Sequence, residues 1–370
     1  MMSSSEIVTI EEIALSRLRI PLAKPYKLAF GDVTHFDTLL VELVADGRPG
    51  FGEATILNGY TDETVEGSWA LAQVLTRKLN GLSTEAAHRM LEANAHEAPF
   101  TVTAFATALE MARGHALLNI ERAVAVPLLF GINATDPAGI ERELEGALDA
   151  GYRTLKVKAG FDLEADLARV GHIQGLNRGR AQLRIDANQG YSKDDGCAFA
   201  RRMSPDSVEL LEQPCHADDW DAARAVADVS SVPLMLDESI YDMVDIERAA
   251  RVGAAFVKLK LMKLGSLEAL ARGLGCIREL GMTPVLGNGV ASDIGCWMEA
   301  CVASSLIDNA GEMNGYLRQR ESLVHAPIAV EGGTMRLEPH FVPALRHERL
   351  SRLVSDRIIV RSASAKEEAR

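Results

Sequence analysis

From about residue 122 onward the chain repeats one pattern. A short run rich in Val, Ile and Leu closes on polar residues, an amphipathic stretch follows, and a Gly- or Pro-containing turn leads to the next run. Five such runs are TLKVKA (154–159), LRIDAN (183–188), VELLEQP (208–214), PLMLDES (233–239) and AFVKLKL (255–261). Apolar residues on both faces predict buried parallel strands. The five runs end around Lys158, Asp186, Glu212, Asp237 and Lys260, which lie 23 to 28 residues apart. One strand, one helix and two short loops fill that spacing. Residues 124–130 read as the first strand of the series. Its helix spans 136–151, with Asp136 as cap, Pro137 in the first turn and Gly151 as stop. TPVLGN (283–288) and SSLIDNAGE (304–312) supply strands seven and eight. The pattern predicts an α/β fold with a closed (β/α)8 barrel over residues 123–322.

The preceding residues follow a different pattern. Residues 6–60 alternate or run apolar as strands, with ADGRPG as a turn, and residues 62–122 carry helical periodicity with Ser/Thr caps. Strands followed by helices, without alternation, predict a separate α+β domain over 1–122. Residues 323–361 return to short strand-like runs, expected to pack back on the N-terminal domain. Residues 362–370 read as a disordered tail.

Composition narrows the function classes. A net charge of −13 over 370 residues disfavours nucleic acid and anionic membrane surfaces as partners. No apolar run reaches membrane-spanning length, and the N-terminus lacks a basic region followed by an apolar core. The five cysteines form no CxxC pair, which reads as a reducing compartment and a cytoplasmic enzyme.

Charged residues at the C-terminal ends of successive barrel strands are placed where such barrels carry active sites. Asp186, Glu212 and Asp237 fall on three adjacent strands. Three hard oxygen donors converging on one point suit Mg²⁺, with Mn²⁺ as an alternative. Salt bridges from Lys156, Lys158 and Lys260 to the same carboxylates are the competing reading. Lys158 and Lys260 lie on strands either side of the trio, so each faces an opposite side of a substrate held there. Neighbouring cations are expected to lower their proton affinity towards that of a general base. Together these parts describe proton abstraction next to the carboxylate of a small substrate.

The motifs resemble those of the enolase superfamily, in its muconate-lactonizing-enzyme-like subgroup, which pairs a Lys base with Mg²⁺. Lys156-Val157-Lys158 is similar to the subgroup's K-x-K, Asp186-Ala187-Asn188 to D-x-N, Glu212-Gln213-Pro214 to E-Q-P and Asp237-Glu238-Ser239 to D-E-S. Lys260 stands at the second catalytic lysine. The resemblance implies Lys158 and Lys260 as acid/base residues and Asp186, Glu212 and Asp237 as metal ligands. Lys156, Asn188 and Glu238 would support them. It also implies a homo-oligomer, and an N-terminal domain that caps the barrel through loops near 24–34 and 57–64, including Tyr26, Lys27, Phe30 and His35.

The subgroup includes racemases and epimerases, cycloisomerases and o-succinylbenzoate synthases. No His lies in 283–298, so a Lys/His pair is not supported. Where related dipeptide epimerases carry Asp-x-Asp after strand eight, this chain has Glu312-Met313-Asn314. The strand-seven loop offers Asp293 as its acidic residue, and Lys258 stands where many relatives have Asn. An isomerase acting on a small carboxylate is the leading reading. A lyase or dehydratase using the same enolate chemistry is the alternative. A metal-free Schiff-base aldolase and a non-enzymatic binding protein are the more distant rivals.

Overall fold

A computed structural model describes residues 8–28, 31–57 and 61–362. The N-terminal strands β1 (Ile10–Leu28), β2 (Gly31–Ala45) and β3 (Arg48–Ile56) form an antiparallel meander. The turn between β2 and β3 uses Asp46 and Gly47, both at positive φ (52° and 64°), as a tight hairpin requires. Three helices follow. They are α1 (Val65–Leu79), capped by Thr64, α2 (Thr84–Ala95), capped by Ser83, and α3 (Pro99–Ala112). Helix α3 is buried nearly all round and lies directly on β3. A side chain at Gly50 would meet Ala108 O at 2.0 Å and one at Gly52 would meet Thr107 Oγ1 at 2.2 Å, so the two glycines set that close approach.

Strand β4 (Val124–Pro127) leads into the barrel series. The series comprises β5 (Phe130–Ile132), α4 (Pro137–Asp149), β6 (Thr154–Lys158), α5 (Leu163–Asn177), β7 (Gln182–Asp186), α6 (Lys193–Arg202), β8 (Val208–Glu212) and α7 (Trp220–Val229). It continues with β9 (Leu234–Leu236), α8 (Met243–Arg251), β10 (Phe256–Leu259), α9 (Leu261–Leu264), α10 (Leu267–Glu279), β11 (Thr283–Leu286) and α11 (Asp293–Leu306). Strands β5 to β11 form one curled parallel sheet in sequence order. Residues 311–312 bridge from β11 to the segment that leads into β5: Glu312 N donates to Leu286 O at 3.1 Å, while Gly311 N donates to Pro127 O and Leu129 N to Gly311 O, both at 3.0 Å. Gly287 (φ 150°) permits this crossing, since a Cβ there would meet Glu312 N at 2.3 Å.

Two expected strands are corrected. The first barrel strand is 130–132. Residues 124–127 bury only Val126 and instead pair antiparallel with a later hairpin. Residues 304–306 belong to α11, where the Ser304 and Ser305 hydroxyls donate back to Cys301 O and Val302 O. The eighth position is therefore a bridging segment and not a strand.

The last elements are β12 (Val330–Glu331), β13 (Thr334–Leu337), α12 (His347–Leu353) and β14 (Val354–Arg361). The β12–β13 hairpin joins β4, while β14 pairs with β1 at the edge of the N-terminal sheet. Residues 363–370, the expected tail beyond Ser362, lie outside the described residues. Among the described residues no helix is long and apolar enough to cross a membrane.

Two apolar clusters, one under the N-terminal sheet and one between barrel and helices, meet where Met262 and Val290 join the N-terminal cluster. Carboxylates fasten this junction. Glu53 on β3 accepts from Ser292 N (2.7 Å), Gly295 N (2.9 Å) and the Ser292 hydroxyl at the start of α11. Glu110 on α3 accepts from Leu267 N and Glu268 N at the start of α10. Each caps a helix of the other unit.

Burial pushes the Glu53 carboxyl up to about 7, against its hydrogen bonds. A carboxyl raised in the folded state contributes stability that is complete below its ordinary value and is lost as pH rises through about 7. The shift corresponds to about 3 kcal/mol. Glu53→Gln can keep the two backbone bonds on its amide oxygen and reverse the one with the Ser292 hydroxyl, without a charge. It is expected to be more stable than the wild type at pH 8 and to lose that advantage by pH 5. Denaturant unfolding at both pH values checks this, and a variant less stable at pH 8 would contradict it.

Candidate active site

Alternation sends every second strand residue into the barrel. Lys156 and Lys158 on β6, Arg184 and Asp186 on β7, Leu210 and Glu212 on β8, and Lys258 on β10 follow this rule. The register places Lys158 opposite Asp186 and Asp186 opposite Glu212. Asp237 and Lys260 sit one residue past the ends of β9 and β10. Leu210, Met235 and Val285 form an apolar floor below.

Above that floor lies a continuous ion-pair network. Lys156 Nζ is 2.8 Å from Asp186 Oδ2, 2.9 Å from Glu212 Oε2 and 2.6 Å from Glu312 Oε1. Lys258 Nζ is 3.1 Å from Glu212 Oε1 and 2.6 Å from Glu312 Oε1. Lys158 Nζ reaches Asp186 Oδ2 at 2.7 Å, and Lys260 Nζ reaches Asp237 Oδ2 at 2.9 Å. Asp186 and Glu212 are fully buried and Asp237 nearly so, whereas the Lys158 side chain is 42% exposed. Lys158 thus stands at the mouth.

The motif residues between the ligand candidates explain themselves by hydrogen bonding. Asn188 N donates to Asp186 Oδ1 at 2.9 Å. The Asn188 side chain accepts from Lys158 Nζ and donates to Glu238 Oε1. Gln213 is buried and uses both ends of its amide. Its oxygen accepts from Asp237 N and Ser239 N, and its nitrogen donates to Cys215 O and Ser239 Oγ. The E-Q-P and D-E-S loops are thereby locked together. Asn188 and Gln213 both hold positive φ (41° and 37°), local strain of the kind that collects at functional sites.

The electrostatics are polarised. Burial raises the Asp186 carboxyl, but Lys156 and Lys158 outweigh it and hold it at about 2. Burial and Asp186 together push Glu212 up to about 7. Glu312 is held well below the usual carboxylate range, since Lys156 and Lys258 overcome its burial. For Lys158 the surrounding side chains alone act in opposite directions. Burial lowers it, but Asp186 at contact distance more than compensates, and the result is raised. Lys263, deeply buried, falls to about 8 and donates to Asp237 O and Ile240 O.

The remaining sequence candidates divide. Glu312 joins the network through Lys156 and Lys258. Asp293 does not join it. Its buried carboxylate accepts from Ser322 Oγ and Leu323 N, which ties α11 to the following loop. Tyr26 packs edge-on against Phe36, and its ring lies under the Arg318 guanidinium at 4.7 Å. The Lys27 side chain and Phe30 lie outside the described residues, as do parts of both expected capping loops. His35 pairs with Arg19 and Asp37. Sequence reasoning passed over Lys263 and gave Lys258 no role. The run KLKLMK carried the lysine signal, since a lysine at each inward strand position is unusual for a buried strand.

Residues 139–340 match the family described as Enolase C-terminal domain-like. The chain belongs to the enolase C-terminal domain-like family. An aromatic dipeptide epimerase of Herpetosiphon aurantiacus is 30% identical, covering 83% of this chain and 87% of its own. An N-succinyl-L-Arg/Lys racemase of Bacillus cereus is 25% identical, covering 80% and 82%. The solved muconate lactonizing enzyme of Pseudomonas fluorescens, complexed with muconolactone, superposes with a TM-score of 0.85 at 25% identity, over 94% of this chain and all of that one. The chain is an enzyme of the enolase superfamily, and these relatives are all isomerases.

Proposed function

We propose that this family member is a divalent-metal-dependent isomerase that moves the proton α to a substrate carboxylate, with Lys158 and Lys260 as the acid/base pair. The observation that carries this reading is their placement. Each lysine contacts a different carboxylate of the Asp186, Glu212, Asp237 trio, Lys158 from the end of β6 and Lys260 from beyond β10. A substrate carboxylate held at the trio has one lysine on each side.

The donor set fits a hard divalent ion. Glu212 Oε2 is buried and, although 2.9 Å from Lys156 Nζ, receives no directed hydrogen bond. Glu212 stays raised despite two lysines beside it, so the network leaves it short of positive charge. Among the described residues no ready-made cage of three such ligands is formed, and Lys156 and Lys258 stand between the carboxylates. Asp186, Glu212 and Asp237 would hold Mg²⁺, or Mn²⁺, and the ion supplies the positive charge that acidifies the α-proton.

In racemisation or epimerisation one lysine accepts the proton from one face and the other delivers one to the opposite face. In cycloisomerisation one lysine suffices, with a bond change elsewhere in the substrate. Asn188 orients Lys158, and Glu238 supports Asn188. The deciding test is proton NMR in D₂O with Mg²⁺ and a panel of N-acylated amino acids, dipeptides and hydroxy acids. Loss of α-proton signals without new peaks supports racemisation or epimerisation, and ring or vinyl signals support cycloisomerisation or elimination. No exchange in any panel member by a protein with bound Mg²⁺ would count against the reading.

A further inference from the structure

The two lysines are held in different ways. Lys158 ends a regular strand, and its side chain is steadied by Asp186 and Asn188. Lys260 lies beyond β10 and opens α9, a single helical turn of four residues. So short a helix does not hold itself in place. Three anchors reach it from other parts of the fold. Met262 is buried in the N-terminal cluster. Lys263 Nζ donates to Asp237 O at 2.8 Å and Ile240 O at 3.2 Å. Glu299, on α11, accepts from Leu261 N at 3.0 Å.

The last anchor is the one next to Lys260. The first N–H groups of a helix have no partner within it, and the Lys260 side chain does not cap α9. Glu299 takes up the N–H of the residue after Lys260, and so fixes the peptide that joins the two. The place is a costly one for an acid. Glu299 is 1% exposed, and among the described residues its Oε2 has no hydrogen-bond partner. It lines a cavity of about 10 Å³, the room of one water, together with Glu53, Thr55, Thr103 and Asn288. Burial pushes the Glu299 carboxyl up to about 8, against the bond from Leu261 N and the charge of Lys260. The acid is therefore mostly neutral at pH 7. One oxygen accepts from Leu261 N, and the other is free to turn its proton to the cavity. An apolar side chain would fill the same space at less cost, but it could not hold Leu261 N.

We propose that Glu299 is the positioning residue for Lys260. It fixes the turn that carries this lysine to its side of the substrate, and it takes no part in holding Lys158. The inference rests on the isomerase reading and deepens it, because each face of the reacting carbon then has its own support.

Glu299→Leu removes the acceptor, whereas Glu299→Gln keeps it and offers an amide N–H to the cavity. Crystal structures of the chelator-treated full chain read the positioning directly. In the wild type and Glu299→Gln, Lys260 Nζ is expected within about 3.5 Å of Asp237 Oδ2. In Glu299→Leu it is expected beyond about 4 Å, with Lys158 still on Asp186 in all three. The second readout is deuterium exchange of N-acetylglycine in D₂O with Mg²⁺, since its two α-protons lie on opposite faces of one carbon. The wild type is expected to exchange both. Glu299→Leu is expected to slow the proton that Lys260→Ala also slows, by at least about tenfold, because a shift of about 1 Å can cost a hundredfold. The other proton should stay within about threefold, and Glu299→Gln should exchange both. Circular dichroism establishes that each variant is folded, and Glu299→Met replaces the leucine variant if that one is not. An undisturbed Lys260 in the leucine variant, equal slowing of both protons, or a glutamine variant as impaired as the leucine variant would each overturn the proposal. Failure of the wild type to exchange either proton would count against the isomerase reading on this probe, and the crystal structures would still decide whether Glu299 positions Lys260.

Discussion

Lys158→Ala and Lys260→Ala are each expected to lower turnover by about 10²–10⁴-fold, the usual worth of a positioned acid or base. Metal affinity should change far less, because neither lysine is an oxygen donor. The two variants should differ from each other in an informative way. If the reaction moves a proton between the two faces of one carbon, each variant retains exchange from one face only. One enantiomer then exchanges its α-proton with Lys158 intact and the other with Lys260 intact. Chiral chromatography combined with deuterium incorporation reads both at once. Full activity in either variant would remove that lysine from the chemistry.

Lys258→Ala is expected to produce the largest stability change in the barrel. Its ammonium is 1% exposed and lies 2.6 Å from Glu312, 3.1 Å from Glu212 and 3.6 Å from Asp237. Truncation leaves those buried carboxylates with less positive charge. Breaking a buried ion pair from one side costs about 3–5 kcal/mol. The deficit should be largest in metal-free protein and shrink in saturating Mg²⁺, because a divalent ion replaces the missing charge. Denaturant unfolding with chelator and with Mg²⁺ gives both numbers. A change under about 1 kcal/mol in chelator would show that Lys258 does not balance the network.

The legibility of this chain was uneven for physical reasons. The β/α period stood out because strands buried on both faces read as apolar runs, and the ligand candidates because each run ends in a charge. Strand one was misplaced because 124–127 and 130–132 are both short and apolar, and only pairing distinguishes them. The eighth position was misread because closure there uses a few backbone bonds and a glycine, with no side-chain period to detect. Asp293 looked like a site residue by position, yet its side chain faces Ser322 and Leu323. The role of Glu312 depended on which lysines reach it, and that is a matter of three-dimensional convergence from β6 and β10. The charge environment of Lys158 likewise depends on its contact with Asp186, which only the fold brings about.

The central claim is that Asp186, Glu212 and Asp237 are a metal site, and not carboxylates neutralised by lysines alone. Calorimetric titration of chelator-treated protein with Mn²⁺, beside Asp237→Asn, tests it most directly. The expected result is one ion per chain in the wild type and at least about tenfold weaker binding in the variant, which has lost a charged ligand. No binding by the wild type at millimolar Mn²⁺, or equal binding by both proteins, would contradict the claim and leave the lysine network as the whole of the site.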